Sequence, residues 1–557
     1  MNTRHVPIGK NDEAQNGNIS QGSQMPNSAT SQAQSSGSRP RRPKSSTART
    51  IAFAIIMVTV LVVSMDNSIL YIVMKTLAQN PPTGLGASQS QLQWSSDAYI
   101  LAYAGLLLTG GVAGNRFGHR RTLLIGLTGF GAFSLASAFA PSAGWLIGLR
   151  AMMGLFAAFL IPATLAIITY LFDGAARAKA IGIWSAVVGA ALAIGPLAAG
   201  ALLTHFWWGS VFLINPPVVL VALIAVPLLV PEYRDESRPS FDLPGMLLAS
   251  AGLLGIIYGI IQAGDSASWT GGKTIAPIAA GLVAIIVFAL WELRAKTPML
   301  DVRYFTDRGF TIAALALALL FFSLFGGVFI MTFYLQSIRG YSALKTGVCI
   351  LPFALAMIAF APQARKMAVR FSARVTSGSG MLVIAAATFA LSRISQHTSI
   401  WVFEVLLFAF GAGMSLVMPP MTTRIVSTLP QSQAGTSSAV NNTFRQVGGS
   451  LGIAVLGSIL AGHYRTAIEP KLAFLPAGIR SQAASSITAT QQVAAHLSST
   501  HVPAELGHNL LVQATDAFIG AQQTAWTIGS IVALAAAILI LVLYRDRKAD
   551  DMQSKCE

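Results

Sequence analysis

Residues 101–125 read Leu-Ala-Tyr-Ala-Gly-Leu-Leu-Leu-Thr-Gly-Gly-Val-Ala-Gly-Asn-Arg-Phe-Gly-His-Arg-Arg-Thr-Leu-Leu-Ile. Arg116, Arg120 and Arg121 stand between apolar runs at about 95–114 and about 121–140. Each run is close to the ~20 residues that a helix needs to cross ~30 Å of hydrocarbon. The alternation of apolar run and short basic turn continues in both directions along the chain. Hydrophobic residues make up 54% of the 557, charged residues 10%, and mean hydropathy is +0.61. Soluble domains carry about 25% charged residues, so this chain cannot solvate a soluble surface. The expected fold class is an all-α polytopic membrane protein.

Fourteen spans are expected, at about 51–71, 95–114, 121–140, 145–171, 179–204, 209–231, 243–263, 274–294, 309–336, 344–363, 371–392, 399–421, 434–462 and 517–544. Residues 1–48 are rich in Ser, Gln, Asn, Gly and Pro with a basic cluster, and read as a disordered tail. If residue 1 lies inside, the short inner loops hold sixteen Lys and Arg and the short outer loops five. This asymmetry places both termini in the cytoplasm. The one long outer loop, 463–516, is amphipathic in places and reads as able to form a small ordered element.

Composition also excludes several functions. The net charge of +16 comes from clusters between apolar runs, not from a solvated basic face, so nucleic acid is not an expected partner. The two cysteines, Cys349 and Cys556, offer no disulfide framework and no metal spacing, and the eight histidines are scattered. No metal or cofactor is expected. No phosphate-binding Gly-x-x-x-x-Gly-Lys-Ser/Thr loop, HExxH or Gly-x-Ser-x-Gly appears, which argues against an ATPase or a hydrolase. The first apolar run is too long and too late for a removable signal peptide.

Ionisable residues inside a span cost at least about 2.5–3.5 kcal/mol each, so each is a functional candidate. Asp66 lies in the outer half of span 1, Asp97 opens span 2 and Arg150 lies near the outer end of span 4. These three form the expected proton-coupling set. Their alternative readings are a structural ion pair and, for Asp97, a helix cap beside Ser95 and Ser96. Glu404, near the outer end of span 12, reads either as a second acid reaching a cavity or as an interfacial carboxylate. Arg445 in span 13 shares a polar stripe with Ser438, Asn442, Gly449 and Gly452. That stripe either binds a carboxylate or hydroxyl-rich substrate or forms an interhelical seam. Tyr103, Trp184 and Phe325 are the aromatics placed deep enough to line a pocket. In span 5, Gly182, Ser185, Gly189, Ala193, Pro196 and Gly200 recur at helical spacing, a small-residue face for close packing.

An internal repeat is faintly legible. Arg116-Phe117-Gly118-His119-Arg120 follows span 2, and Arg370-Phe371-Ser372-Ala373-Arg374 follows span 10. Both positions fall after the second helix of a six-helix half, with spans 7 and 8 between the halves. The expected organisation is a six-helix bundle at 49–233, two linking helices at 234–300, a second six-helix bundle at 301–545 and a cytoplasmic tail at 546–557.

Several motifs carry a family likeness. The segment Gly111-Val112-Ala113-Gly114-Asn115-Arg116-Phe117-Gly118-His119-Arg120-Arg121 resembles the loop-2/3 signature of the major facilitator superfamily. Arg150 with Gly154 resembles its second signature, and Gly195-Pro196 through Gly200 resembles the one associated with antiporters. Asp66, Phe212-Leu213-Ile214-Asn215-Pro216-Pro217, Pro298 through Val302 and Tyr341 through Gly347 narrow the likeness to fourteen-helix drug:proton antiporters. The resemblance implies two six-helix bundles plus two additional helices. It gives Gly111, Asn115, Arg116, Gly118, Arg120, Gly195, Pro196 and Gly200 conformational roles. The family has Asp where this chain has Asn115, so the contact that helps close the cytoplasmic side has lost its charge. The antiseptic pumps carry acids in span 13 where this chain has Asn441-Asn442-Thr443-Phe444-Arg445, which points away from dications and toward neutral, anionic or monocationic substrates.

The expected function is therefore export of an amphipathic drug or antibiotic by alternating access, driven by protons, from a bacterial plasma membrane. The expected partners are that small molecule, protons and membrane lipids, with the chain a monomer. The alternatives are proton-coupled uptake by symport, against which Gly195-Pro196 weighs, and a non-transporting receptor, for which the outer loop is small.

Overall fold

The structure, a computed structural model, describes residues 46–546 apart from 78, 88, 234–241, 267–268, 296–297, 299, 485 and 500–503. The readings made for residues 1–45 and 547–557, and for Arg234, Arg238 and Lys296, lie outside the described residues. Fourteen helices among the described residues are long and apolar enough to span a membrane. The first seven are α1 (Ser46–Leu77), α2 (Gln89–Phe117), α3 (His119–Ala138), α4 (Ala143–Leu171), α5 (Gly174–Leu203), α6 (Asn215–Leu229) and α7 (Leu243–Ser266). A 3-10 stretch, Trp208–Ile214, leads into α6. Then come α8 (Gly272–Arg294), α9 (Arg308–Phe333), α10 (Ala343–Phe371), α11 (Ala373–Leu391), α12 (Ile400–Thr428), α13 (Ala434–Ile468) and α16 (Ala504–Leu543). Two short helices, α14 (Ala477–Ala483) and α15 (Ile487–Ser499), occupy the connection before α16.

The expected loop 463–516 is shorter than its sequence suggests. α13 continues past 462 because Leu460, Tyr464 and Ile468, spaced by four, all remain buried. The Tyr464 hydroxyl lies 2.7 Å from the Thr490 hydroxyl and ties α15 to this extension. α16 likewise begins well before 517, with Leu510 and Ala514 buried. Apolar counting misses both extensions because their other faces are polar.

Helix packing repeats between the halves. α1 packs on α5 and α6, and correspondingly α9 packs on α13 and α16. α4 packs on α2 and α3, as α12 does on α10 and α11; α3 packs on α6, as α11 does on α16. The halves meet through α2 against α13 and α5 against α10, partners that exchange under the same correspondence. α7 packs on α2, α13 and α8. The far side of α8 exposes Leu282, Val283, Ile286, Val287 and Leu290, as a lipid-facing helix does.

The faint five-residue echo is much clearer in the backbone. Gly118 caps α3 at φ 104°, ψ 136°, and Ser372 caps α11 at φ 79°, ψ 154°. In the first half, Oε1 of Glu232, three residues past α6, accepts the Arg120 N–H at 3.0 Å. In the second, Oδ1 of Asp546, three residues past α16, accepts the N–H groups of Ala373 and Arg374 at 3.1 and 3.4 Å. Each half thus sets an acid from behind its last helix on the N-terminus of its third, where the helix dipole favours negative charge.

Candidate transport site

The molecule has a basic face, where Arg116, Arg120 and Arg121 lie, and an opposite face. Toward the opposite face, α1 and α4 bring Asp66 and Arg150 into a buried ion pair, Arg150 Nη1 against Asp66 Oδ2. Both side chains are essentially inaccessible, at 2% and 0% exposure. The other Asp66 oxygen, Oδ1, accepts Asn215 Nδ2 at 2.9 Å, and the same amide group donates to Ser134 Oγ at 2.8 Å. Arg150 Nε donates to the Ser95 carbonyl at 3.2 Å, and its guanidinium covers the Tyr99 ring at 4.3 Å. Asp97 stands half-buried on α2, two residues beyond Ser95. The Asp66 carboxylate is therefore held from α4 and α6 by a charged and a neutral hydrogen-bond donor, with α2 and α3 behind those two partners. Asn215 and Tyr99 are the members sequence reasoning left without a role. A polar residue just before Pro216-Pro217 in an apolar span was a usable signal for the first.

A second polar centre lies where the halves meet. The Arg445 guanidinium sits 4.4 Å from the Phe321 ring of α9 and 5.2 Å from the Trp184 ring of α5. Its Nη1 donates to Asn442 Oδ1 at 3.0 Å. Trp184 is fully buried and anchored by its Nε1, which donates to Thr164 Oγ1 at 3.3 Å. Phe325 packs on Phe321 at 5.6 Å, and a side chain at Gly449 would occupy the place of its ring. Tyr103 faces Arg445 electrostatically and stacks on Tyr99 at 6.0 Å. Tyr103, Trp184, Phe325, Asn442 and Arg445 thus converge, joined by the unforeseen Phe321. A chain of contacts leads from Tyr103 through Tyr99 to Arg150 and Asp66. Glu404 stands elsewhere: it is half-buried at the α10–α12 seam, beside the Cys349 thiol. Its place near the start of α12 directs it to that seam.

The small residues divide the work of close packing. Gly182, Gly189 and Gly200 of α5 face Ala361, Met357 and Leu344 of α10, whereas Gly195 faces Met65 and Ser68 of α1. Pro196 lies inside α5, with Gly347 of α10 against it. On α13, Gly448 and Gly452 meet the α9 backbone at Ala318 and Phe322. The α13 stripe is therefore a packing seam at its glycines and a polar centre at Asn442 and Arg445.

At the basic face the halves are latched. Asn115 Nδ2 donates to Thr436 Oγ1 at 2.9 Å, and Asn115 Oδ1 accepts the Gly435 N–H at 2.9 Å. The Asn115 amide thus uses both of its ends across the interface. A side chain at Gly111 would run into the Gly435 carbonyl. The Tyr170 hydroxyl donates to the Gln431 carbonyl at 2.6 Å, and Gln431 Nε2 returns a bond to the Thr169 carbonyl at 3.0 Å. Tyr170 stacks on Tyr233 at 4.6 Å. Glu232 approaches the guanidinium groups of Arg120 and Arg121 at 3.7 and 3.6 Å, and a side chain at Gly118 would collide with its carboxylate. Burial pushes the Glu232 carboxyl up, against the opposing pull of the Arg120 N–H and the two guanidinium groups. Arg116 lies over the Phe117 ring at 5.8 Å. In the second half, Arg424 Nη2 lies 2.8 and 2.9 Å from the two Asp307 oxygens.

No group of three or more His, Cys, Asp or Glu side chains suited to a metal occurs among the described residues. Two pseudo-symmetric helical halves, latched at one end and enclosing buried charge between them, define a membrane transporter of the alternating-access type. The comparisons with known proteins make the class specific. Residues 56–453 match the Major Facilitator Superfamily, and the chain belongs to it. It is 34% identical over 489 residues to the tetracenomycin C resistance and export protein of Streptomyces glaucescens, covering 87% of this chain and 90% of that one. It is 34% identical over 514 residues to the multidrug efflux pump LfrA of Mycolicibacterium smegmatis, covering 91% and 98%. Within the superfamily the chain stands among drug-efflux transporters, and it is not an enzyme. The solved human organic anion transporter MFSD10 shares the fold at TM-score 0.57 and 15% identity, covering 88% of this chain and 99% of its own. The proton:xylose symporter XylE does so at 0.56 and 12%, covering 92% and 100%.

Proposed function

We propose that this transporter is a proton-coupled antiporter that exports amphipathic drugs or antibiotics, with Asp66 carrying the proton and the basic face cytoplasmic. One observation carries the reading: a fully buried carboxylate is held by Arg150 and Asn215 on different helices, so a proton on it changes what those helices hold. Removing one charge of a buried pair costs about 3–5 kcal/mol. Protonation of Asp66 therefore favours a conformation in which Arg150 has moved or found another partner. The described conformation, ionic at Asp66 and latched at Asn115, is the one such a cycle reaches after releasing drug outward and before taking up a proton.

Energetically one proton is sufficient for useful export. Each proton moving inward yields about 2.3 kcal/mol per 100 mV and about 1.4 kcal/mol per tenfold pH difference. The functions stated in the names of the tetracenomycin C and LfrA relatives support drug as cargo, and the inward basic loops support both termini being cytoplasmic. We read the protein as working in a bacterial cell membrane, as a monomer. In energised membrane vesicles lacking ATP, drug transport should collapse on adding a protonophore. Transport that survives the protonophore would remove the antiport reading.

A further inference from the structure

Two arginines are buried in the described spans, and they differ in one respect. Arg150, at 0% exposure, has Asp66. Arg445, at 9%, has no carboxylate within salt-bridge distance among the described residues. Its Nε is buried and lacks a hydrogen-bond partner there. Asn441, one turn away on the same helical face, is fully buried with both ends of its amide unpartnered. A buried cation without a counter-ion is strongly destabilising. The two ring faces and the Asn442 carbonyl offset only part of that cost.

Geometry narrows what would complete the site. The guanidinium has an indole ring and a phenyl ring within 5.2 and 4.4 Å of its carbon, Nη1 is taken by Asn442, and Nε is left without a protein partner. A guanidinium with Nε free matches a carboxylate, which accepts two parallel N–H bonds in one plane. The rings of Trp184, Phe321, Phe325 and Tyr103 around it suit a flat aromatic body attached to that anion. We propose that Arg445, with Asn441, binds an acidic group on an aromatic substrate, a carboxylate or an ionised phenol or enol, so that this exporter prefers organic anions to cations of the same shape. The inference rests on the transport reading above and names its substrate class.

The test uses the full-length protein in lipid nanodiscs near neutral pH, with no gradient imposed. Isothermal titration calorimetry compares anthraquinone-2-carboxylate with its carboxamide and its aminomethyl (ammonium) analogue. We expect the carboxylate to bind about tenfold or more tightly than the amide, the scale of a charge-assisted bidentate contact, and the ammonium compound to bind weakest. Arg445→Gln should erase the ranking while keeping amide binding, which reports that the pocket is still folded. Arg445→Lys, which keeps the charge but loses the planar fork, should fall between. Equal binding of carboxylate and amide to the wild type, or an unchanged preference in Arg445→Gln, would overturn the proposal. Because binding is read at equilibrium, failure here with Asp66-dependent proton release intact sinks the anion site alone. The reverse pattern sinks the antiport reading alone.

Discussion

Replacing Asn115 with Ala tests whether the basic face is held shut by the amide that stands where the family has an acid. The side chain is 5% exposed and makes two hydrogen bonds across the halves, to Thr436 Oγ1 and from Gly435 N–H, both at 2.9 Å. Each is worth about 1 kcal/mol net. When the face opens, Thr436 and Gly435 reach water and lose nothing from the substitution, so the whole cost falls on the closed state. The closed-to-open ratio should drop by about 2 kcal/mol, or about 30-fold at 1.4 kcal/mol per decade. Spin labels on cysteines at Phe117 and Ser427, exposed ends of α2 and α12, would report the two distance populations by pulsed electron resonance. In Asn115→Ala the long-distance population should grow at the expense of the short one, the ratio falling by about 30-fold. A ratio within about twofold of wild type, or a shift toward the short distance, would show that these two bonds do not hold the basic face shut.

Three further outcomes follow from the same geometry. Gly111→Val should leave the protein in the membrane but stop transport, because its side chain meets the Gly435 backbone; normal transport by this variant would show that the α2–α13 approach is not needed. Ser372→Gly should raise stability by about 1 kcal/mol in chemical denaturation, since φ 79° with ψ 154° is a glycine region and the lost cap costs only tenths; a lower midpoint would mean the Ser372–Val375 cap outweighs the strain. Burial of Asp307 opposes ionisation, but Arg424 and the N–H groups of Phe310 and Gly309 outweigh it and hold the carboxyl below its usual range. Its contribution is therefore full above the unfolded carboxyl range and lost as pH falls through the lower folded value. Asp307→Asn should flatten the acid limb of the melting-temperature profile; an unchanged limb would count against that pair.

The spans were legible because fourteen runs of hydrocarbon-crossing length are separated by charge, and Asp66, Arg150 and Arg445 were legible as ionisable groups where such groups are expensive. The pairing of Asp66 with Arg150 was offered by sequence only as one of two readings, since nothing along the chain says which faces of α1 and α4 meet. Asn215, Tyr99 and Phe321 escaped for the same reason: their chemistry is ordinary until a neighbouring helix supplies the charge they touch. Glu232 lies close to Arg120 only through the α3–α6 packing, 112 residues away along the chain. Asn115 read as a weakening of the family's contact, because substitution of an acid by an amide is visible and the Gly435 N–H and Thr436 hydroxyl that receive it are not. The extensions of α13 and α16 were hidden by polar faces turned away from their buried stripes.

In the proposed cycle Asp66 exchanges its hold on Arg150 for a proton during transport. This exchange is tested most directly in proteoliposomes with an inward proton gradient and no ATP, following substrate-induced proton release for wild type and Asp66→Asn. Wild type should release protons and Asp66→Asn none, with substrate binding retained in the variant. Undiminished, gradient-dependent release by Asp66→Asn would contradict the exchange.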